Sequence, residues 1–151
     1  MTEKFLDKVY DARDAASTRQ LYDEWAATYE AEVAENGYVT PGRCAAALAD
    51  QMTDLSAPIL DFGCGTGLSG LALKTAGFEV IDGVDLSADM LAEARSKGAY
   101  RKLSQIEADT PLPHQPSEYA AIAAIGVIGA GAAPISVSVS YTHLTLPTKI
   151  V

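Results

Sequence analysis

Cysteine is nearly absent from this sequence: Cys44 and Cys64 are the only two. Two thiols make no disulfide framework, and neither has the partner spacing of a metal site. The two histidines, His114 and His143, add no ligand cluster, so no metal is expected. A reduced cytoplasm fits this usage. Positive charge is scarce too. Lys and Arg number 11 against 20 Asp and Glu, for a formal net charge of −9. No part of the chain forms a basic half, so a phosphate backbone would be repelled and nucleic acid is not expected as a partner. Long apolar runs are also missing. The uncharged run from Tyr119 to Ala133 covers about 15 residues, whereas a membrane helix takes roughly 20. The start, Met1-Thr2-Glu3-Lys4, carries no apolar signal segment. No membrane is therefore expected, and no internal repeat is found.

What is there suits one globular domain. The 151 residues are 48% hydrophobic and 21% charged, enough for one real core. Ser17 or Thr18 is placed to cap a helix running to about Glu35, stopped by Asn36-Gly37. Pro41 opens a second helix, Gly42 to Met52. From Pro58 on, the pattern alternates. Ile59 to Phe62 reads as a strand, and Leu68 to Ala76 as a helix closed by Gly77. Phe78 to Asp85 reads as a strand, and Ala88 to Lys97 as a helix capped by Ser87 and ended by Gly98. Tyr100 to Ala108 is a weaker strand, followed by the proline-rich loop from Asp109 to Pro116. Ala120 to Val127 is a buried strand. Strand–helix alternation predicts an α/β fold: a Rossmann-like parallel sheet with helices on both faces, centred on Ile59–Phe62 with the fourth strand beside it.

The run Ile59-Leu60-Asp61-Phe62-Gly63-Cys64-Gly65-Thr66-Gly67-Leu68 carries the chemistry. Apolar residues lead into an acid, then three glycines fall on alternate positions. Asp85 follows at the end of the next apolar run. A strand feeding a glycine turn, a helix, and a second strand ending in a carboxylate together hold an adenosine. The glycines let backbone come close, and the carboxylate accepts from ribose hydroxyls. Cys64 reads as a small filler within the turn. Neither histidine is a candidate base, and no catalytic residue is assigned.

The same stretch resembles the first two motifs of class I S-adenosylmethionine (SAM) methyltransferases. The resemblance runs from about Tyr22 to Pro134 and implies SAM as cofactor and methyl transfer to a small-molecule acceptor. It implies that Gly63 and Gly65 lie along the methionine portion of SAM, while Gly67 lets the helix start pack close to the strand. Asp61 would hold the ammonium group, and Asp85 with Leu86 would meet the ribose. Asp109 would meet the adenine amino group. Ile125 and Gly126 would floor the methionine portion. Tyr22-Asp23-Glu24-Trp25-Ala26-Ala27-Thr28-Tyr29-Glu30 resembles the family's lead helix, whose Tyr22 and Tyr29 would touch the cofactor. Gly37-Tyr38-Val39-Thr40-Pro41-Gly42 and Gly126-Val127-Ile128-Gly129-Ala130-Gly131 are similar to the methyltransferase-like proteins of the Williams–Beuren region.

Two other readings stand beside it. Gly65-Thr66-Gly67-Leu68-Ser69-Gly70 satisfies G-x-G-x-x-G, with Asp85 about twenty residues on, as in a nicotinamide-binding domain. A SAM-fold module that binds without catalysing is the other. The chain divides as an N-terminal helical segment (1–56), a partial SAM-binding domain (57–134) and a tail (135–151). Ile135 to Leu146 alternates with period two, and Ser140 to Thr148 resembles a translated sequencing-adapter tail. The tail is therefore expected to be non-native, the methyltransferase fold incomplete, and the 151-residue product inactive.

Overall fold

The computed structural model describes residues 16, 19–20, 39–107, 117–125 and 149–150. Tyr22, Tyr29, Asp109, Gly126, the proline-rich loop and the alternating run 135–146 lie outside them. Residues 19 and 20, near the start of the expected lead helix, are helical.

The elements follow the alternation. They are α1 (Thr40–Gln51), β1 (Ile59–Phe62), α2 (Leu68–Thr75), β2 (Ile81–Asp85), α3 (Ala88–Ser96), β3 (Lys102–Gln105), β4 (Ala121–Ala123) and β5 (Lys149–Ile150). The sheet order is β3-β2-β1-β4-β5, and every pairing is parallel. β1 is central, with β4 at its side, as expected. Lys149–Ile150 carry the sheet one strand past the four that the sequence announces. These two residues pair with the outer edge of β4, where an open strand edge accepts any extended segment.

β1 is buried on both faces, as a central parallel strand must be. Ile59 faces Leu48 and Ala45 of α1, Leu73 of α2, and Ile81, Ala121 and Ala123 of the flanking strands. Leu60 faces the other way, into a cluster with Val84, Tyr119 and Ile122. Fully burying each of the larger aliphatics contributes about 1.5–3 kcal/mol. The described helices supply the first cluster; no helical residue belongs to the second. The helices expected on that second face are therefore not among the described elements. No helix among the described residues is long and apolar enough to cross a membrane.

Local signals explain the boundaries. Pro41 sits in the first turn of α1, where its missing N–H costs nothing. Ser87 caps α3 by accepting from the Met90 N–H at 3.2 Å. α2 closes on Gly77 at φ 110°. The Phe78 N–H bonds Leu73 O at 3.2 Å, and the Gly77 N–H bonds Lys74 O at 3.0 Å. That pairing is a Schellman ending, with Phe78 packed on Leu73. It corrects the strand expected from Phe78: residues 78–80 finish the helix and turn, and β2 begins at Ile81.

Candidate functional site

Ligands of open α/β sheets bind beyond the carboxyl ends of the strands. Here that end is built by the β1–α2 turn and the end of β2. Gly63, Gly65 and Gly67 all take positive φ, at 69°, 55° and 95°. A side chain would strain each of these positions. The turn is pinned from β2: the Gly63 and Cys64 N–H groups donate to Val84 O at 2.8 and 3.1 Å.

Asp85 completes the pin. Its Oδ2 accepts from the Gly65 N–H at 2.9 Å, and its Oδ1 accepts from the Ser87 N–H at 2.9 Å. One carboxylate thus ties the glycine turn to the start of α3. Leu86 follows, partly exposed, with its carbonyl accepting from Gln105 Nε2 at 3.0 Å. A Cβ placed on Gly65 would meet no atom of the described residues within 4 Å, so among these the space over the turn is open. Gly67 differs from its expected role. Its would-be Cβ lies 3.1 Å from Ala94 Cα and 3.2 Å from Lys97 Cγ, so its bareness serves the approach of α3 rather than of the strand.

Asp61 lies beneath the turn with 0% exposure. Ser69 Oγ donates to its Oδ2 at 2.6 Å and Tyr100 OH donates to the same oxygen at 2.7 Å. Oδ1 is buried without a hydrogen-bond partner among the described residues, as is Thr66 Oγ1. No ion pair among the described residues reaches Asp61. Burial pushes its carboxyl up to about 6, against the pull of the Ser69 and Tyr100 hydroxyls, and the nearby Asp85 charge adds to the rise. Burial likewise pushes the Cys64 thiol up, with Asp61 and Asp85 reinforcing it. A thiol held protonated is no nucleophile, which agrees with its reading as filler.

Tyr100, Ser69 and Gly70 escaped the sequence reading. Tyr100 precedes β3, and its ring passes between α2 and β2. A Cβ on Gly70 would come 2.7 Å from its Cε2, and a Cβ on Gly83 would come 2.9 Å from its Cε1. A glycine in a helix and another in a strand were the available signal, since each marks a close approach. Ile125 is buried at 6% exposure and packs in the cluster with Ala123 and Leu73. Arg19 Nη1 bonds Glu107 Oε2 at 3.0 Å, just past the carboxyl end of β3.

Comparison with known proteins follows the same lines. Residues 59–134 match the family described as "Methyltransferase domain". Methyltransferase-like protein 27 of Homo sapiens is 33% identical over 141 residues, 91% of this chain and 57% of that protein. The chain therefore spans little more than half the length of that relative. Among solved structures, CalS10 is an amino pentose methyltransferase of Micromonospora echinaspora with SAM bound. It aligns with TM-score 0.52 and 27% identity over 66% of this chain and 42% of its own. A TehB-like SAM-dependent methyltransferase from Corynebacterium glutamicum aligns with TM-score 0.55 and 24% identity over 70% of this chain and 55% of its own. The nicotinamide alternative falls with the family match. The chain belongs to the class I SAM-dependent methyltransferase family.

Proposed function

We propose that this chain binds SAM at the carboxyl ends of β1 and β2 and forms the cofactor-binding portion of an enzyme that methylates a small molecule. The observation that carries the reading is Asp61: a fully buried carboxylate with, among the described residues, one oxygen unpartnered and no cation beside it. A buried charge costs several kcal/mol unless paired, so a ligand cation completes the site. The SAM ammonium group is such a cation. Gly65 leaves room above the turn, and Asp85, which holds the Gly65 N–H, would accept from the ribose. Leu86, Ile125 and Gly126 would contribute apolar and backbone surface, and Asp109 an acceptor for adenine. The lead helix with Tyr22 and Tyr29 would cover the ligand; the Arg19–Glu107 bond at the ligand end of the sheet supports that position.

The chemistry available here when SAM is bound would be an electrophilic methyl group, open to an acceptor's lone pair, with the carbon–sulfur electron pair left on sulfur. The protein's part is to align acceptor with methyl and to exclude water. The small-molecule acceptor is supported by the CalS10 likeness, that protein acting on an amino pentose. The family match ends at residue 134, which supports reading 135–151 as lying outside the domain. The absence of an apolar spanning helix among the described residues agrees with a cytoplasmic enzyme.

Calorimetry tests the reading. SAM should bind and NAD should not. Asp85→Ala should weaken SAM by about 1–3 kcal/mol, the cost of losing charge-assisted hydrogen bonds. NAD binding, or unchanged SAM affinity in that variant, would refute the assigned geometry.

A further inference from the structure

Asp61 does not stand alone: both of its hydrogen bonds fall on one oxygen. Ser69, in the first turn of α2, and Tyr100, in the connection from α3 to β3, each donate to Oδ2. Oδ1 receives nothing from the described residues. We infer that Tyr100 is a positioning residue for the cofactor, holding the Asp61 carboxylate by Oδ2 so that Oδ1 faces the ligand's ammonium group. The inference rests on the proposed SAM site and goes beyond it by giving a role to a residue that need not touch SAM.

Three observations support it. The first is the cost of placing the ring. Tyr100 lies where any side chain on Gly70 would collide with it, and at Gly83 it closes the space together with Leu103 and Cys64. An apolar filler of the same groove would need no hydroxyl. The second is direction. A phenol 2.7 Å from a carboxylate oxygen donates its only proton there, and burial together with the Asp61 charge pushes the Tyr100 hydroxyl well above its ordinary range. It remains a donor at every physiological pH, so one Asp61 oxygen stays tied to it and the other is left for a ligand. The third is charge. The hydroxyls of Ser69 and Tyr100 favour the ionised form of Asp61, while burial and Asp85 oppose it. The groups facing Asp61 are therefore Ser69 from α2, Cys64 from the turn, Asp85 from the end of β2, and Tyr100. Of these only the two hydroxyls keep it charged. Removing one shifts the balance toward a neutral acid, which attracts no ammonium.

The test compares Tyr100→Phe with the parent chain, since phenylalanine keeps the ring between Gly70 and Gly83. Two readouts are taken: the Asp61 titration midpoint, by NMR of the carboxyl carbon without ligand, and SAM affinity across pH 5.5–8 by calorimetry. Loss of a charged hydrogen bond should raise the midpoint by about one pH unit. SAM affinity should then fall about fivefold at pH 6 and stay near the parent value at pH 8. A packing role alone would leave the midpoint in place and weaken binding equally at all pH values, and that result would overturn the inference. Ser69→Ala serves as the second variant: it removes the other donor without touching the ring and should move the midpoint the same way. An unmoved midpoint in both variants defeats the positioning role even where SAM binds. Failure of the parent chain itself to bind SAM would defeat the proposed function first, and this role with it.

Discussion

Asp61 and Asp82 sit on neighbouring strands, one residue apart in register, and point to opposite faces of the sheet. Both are buried, at 0% and 1% exposure. Each accepts from a tyrosine hydroxyl at 2.7 Å, Tyr100 for Asp61 and Tyr119 for Asp82. The difference is a guanidinium. Arg101 grips Asp82 with two bonds, Nε to Oδ1 at 3.0 Å and Nη2 to Oδ2 at 2.6 Å. Burial pushes the Asp82 carboxyl up, but Arg101 and Tyr119 outweigh it and hold it below its ordinary range. Asp61, with no cation beside it among the described residues, is pushed up by burial to about 6. A buried acid that carries its own counterion holds strands together. A buried acid without one costs stability and is retained for something that arrives.

Exchanging charges should break this contrast most visibly in binding. Asp61→Asn keeps an acceptor for Ser69 and Tyr100 and removes the charge. SAM affinity should fall by about 2–5 kcal/mol, the cost of truncating one side of a buried charged pair. Thermal unfolding of the same variant without ligand should show higher stability at pH 7, because no buried charge remains. Titration of stability separates the two acids next. The folded Asp61 holds its proton to about pH 6, whereas the unfolded chain releases it near 3.8. Unfolding free energy should therefore drop by roughly 3 kcal/mol in all as pH rises from about 3 to about 7, and Asp61→Asn should flatten that slope. Asp82 runs the other way: its contribution is present above the ordinary carboxylate range and is lost as pH falls through its lowered value.

Asp82→Asn comes third. Removing one partner of a fully buried pair costs about 3–5 kcal/mol. The Arg101 side chain is 51% exposed, so its freed charge can turn to water and the expected loss is nearer 2 kcal/mol. Chemical denaturation checks it, and a variant as stable as the parent would remove the structural role. The smallest effect belongs to Ser87→Ala. Loss of the cap on α3 should cost about 1 kcal/mol, with little change in SAM affinity, because Asp85 still pins the turn through Gly65.

The sequence carried the ligand end of this molecule well, because its signals are local. A glycine with positive φ, a serine three residues before the N–H it caps, and an acid at the end of an apolar run are each legible within ten residues. Strand order followed from alternation and handedness, which leave few ways to wind a sheet. What stayed hidden is non-local. Tyr100 meets Asp61 across 39 positions, and Tyr119 meets Asp82 across 37. Nothing near either residue announces the partner. Beside the glycines that make room for Tyr100, the available sign was chemical: Asp82 inside an apolar strand needs a counterion, and a search for it would have led to Arg101. The strand misread at Phe78 has the same origin in reverse, since an apolar residue after a helix-ending glycine packs back on the helix as readily as it starts a strand.

The account turns on whether Asp61 waits for a cation. NMR titration of its carboxyl carbon, in the free protein and with saturating SAM, measures that directly. The account predicts a midpoint near 6 without ligand. With SAM bound it should fall below the ordinary carboxylate range, as an ammonium beside Oδ1 does for Asp61 what Arg101 does for Asp82. A midpoint that SAM leaves unchanged would contradict it.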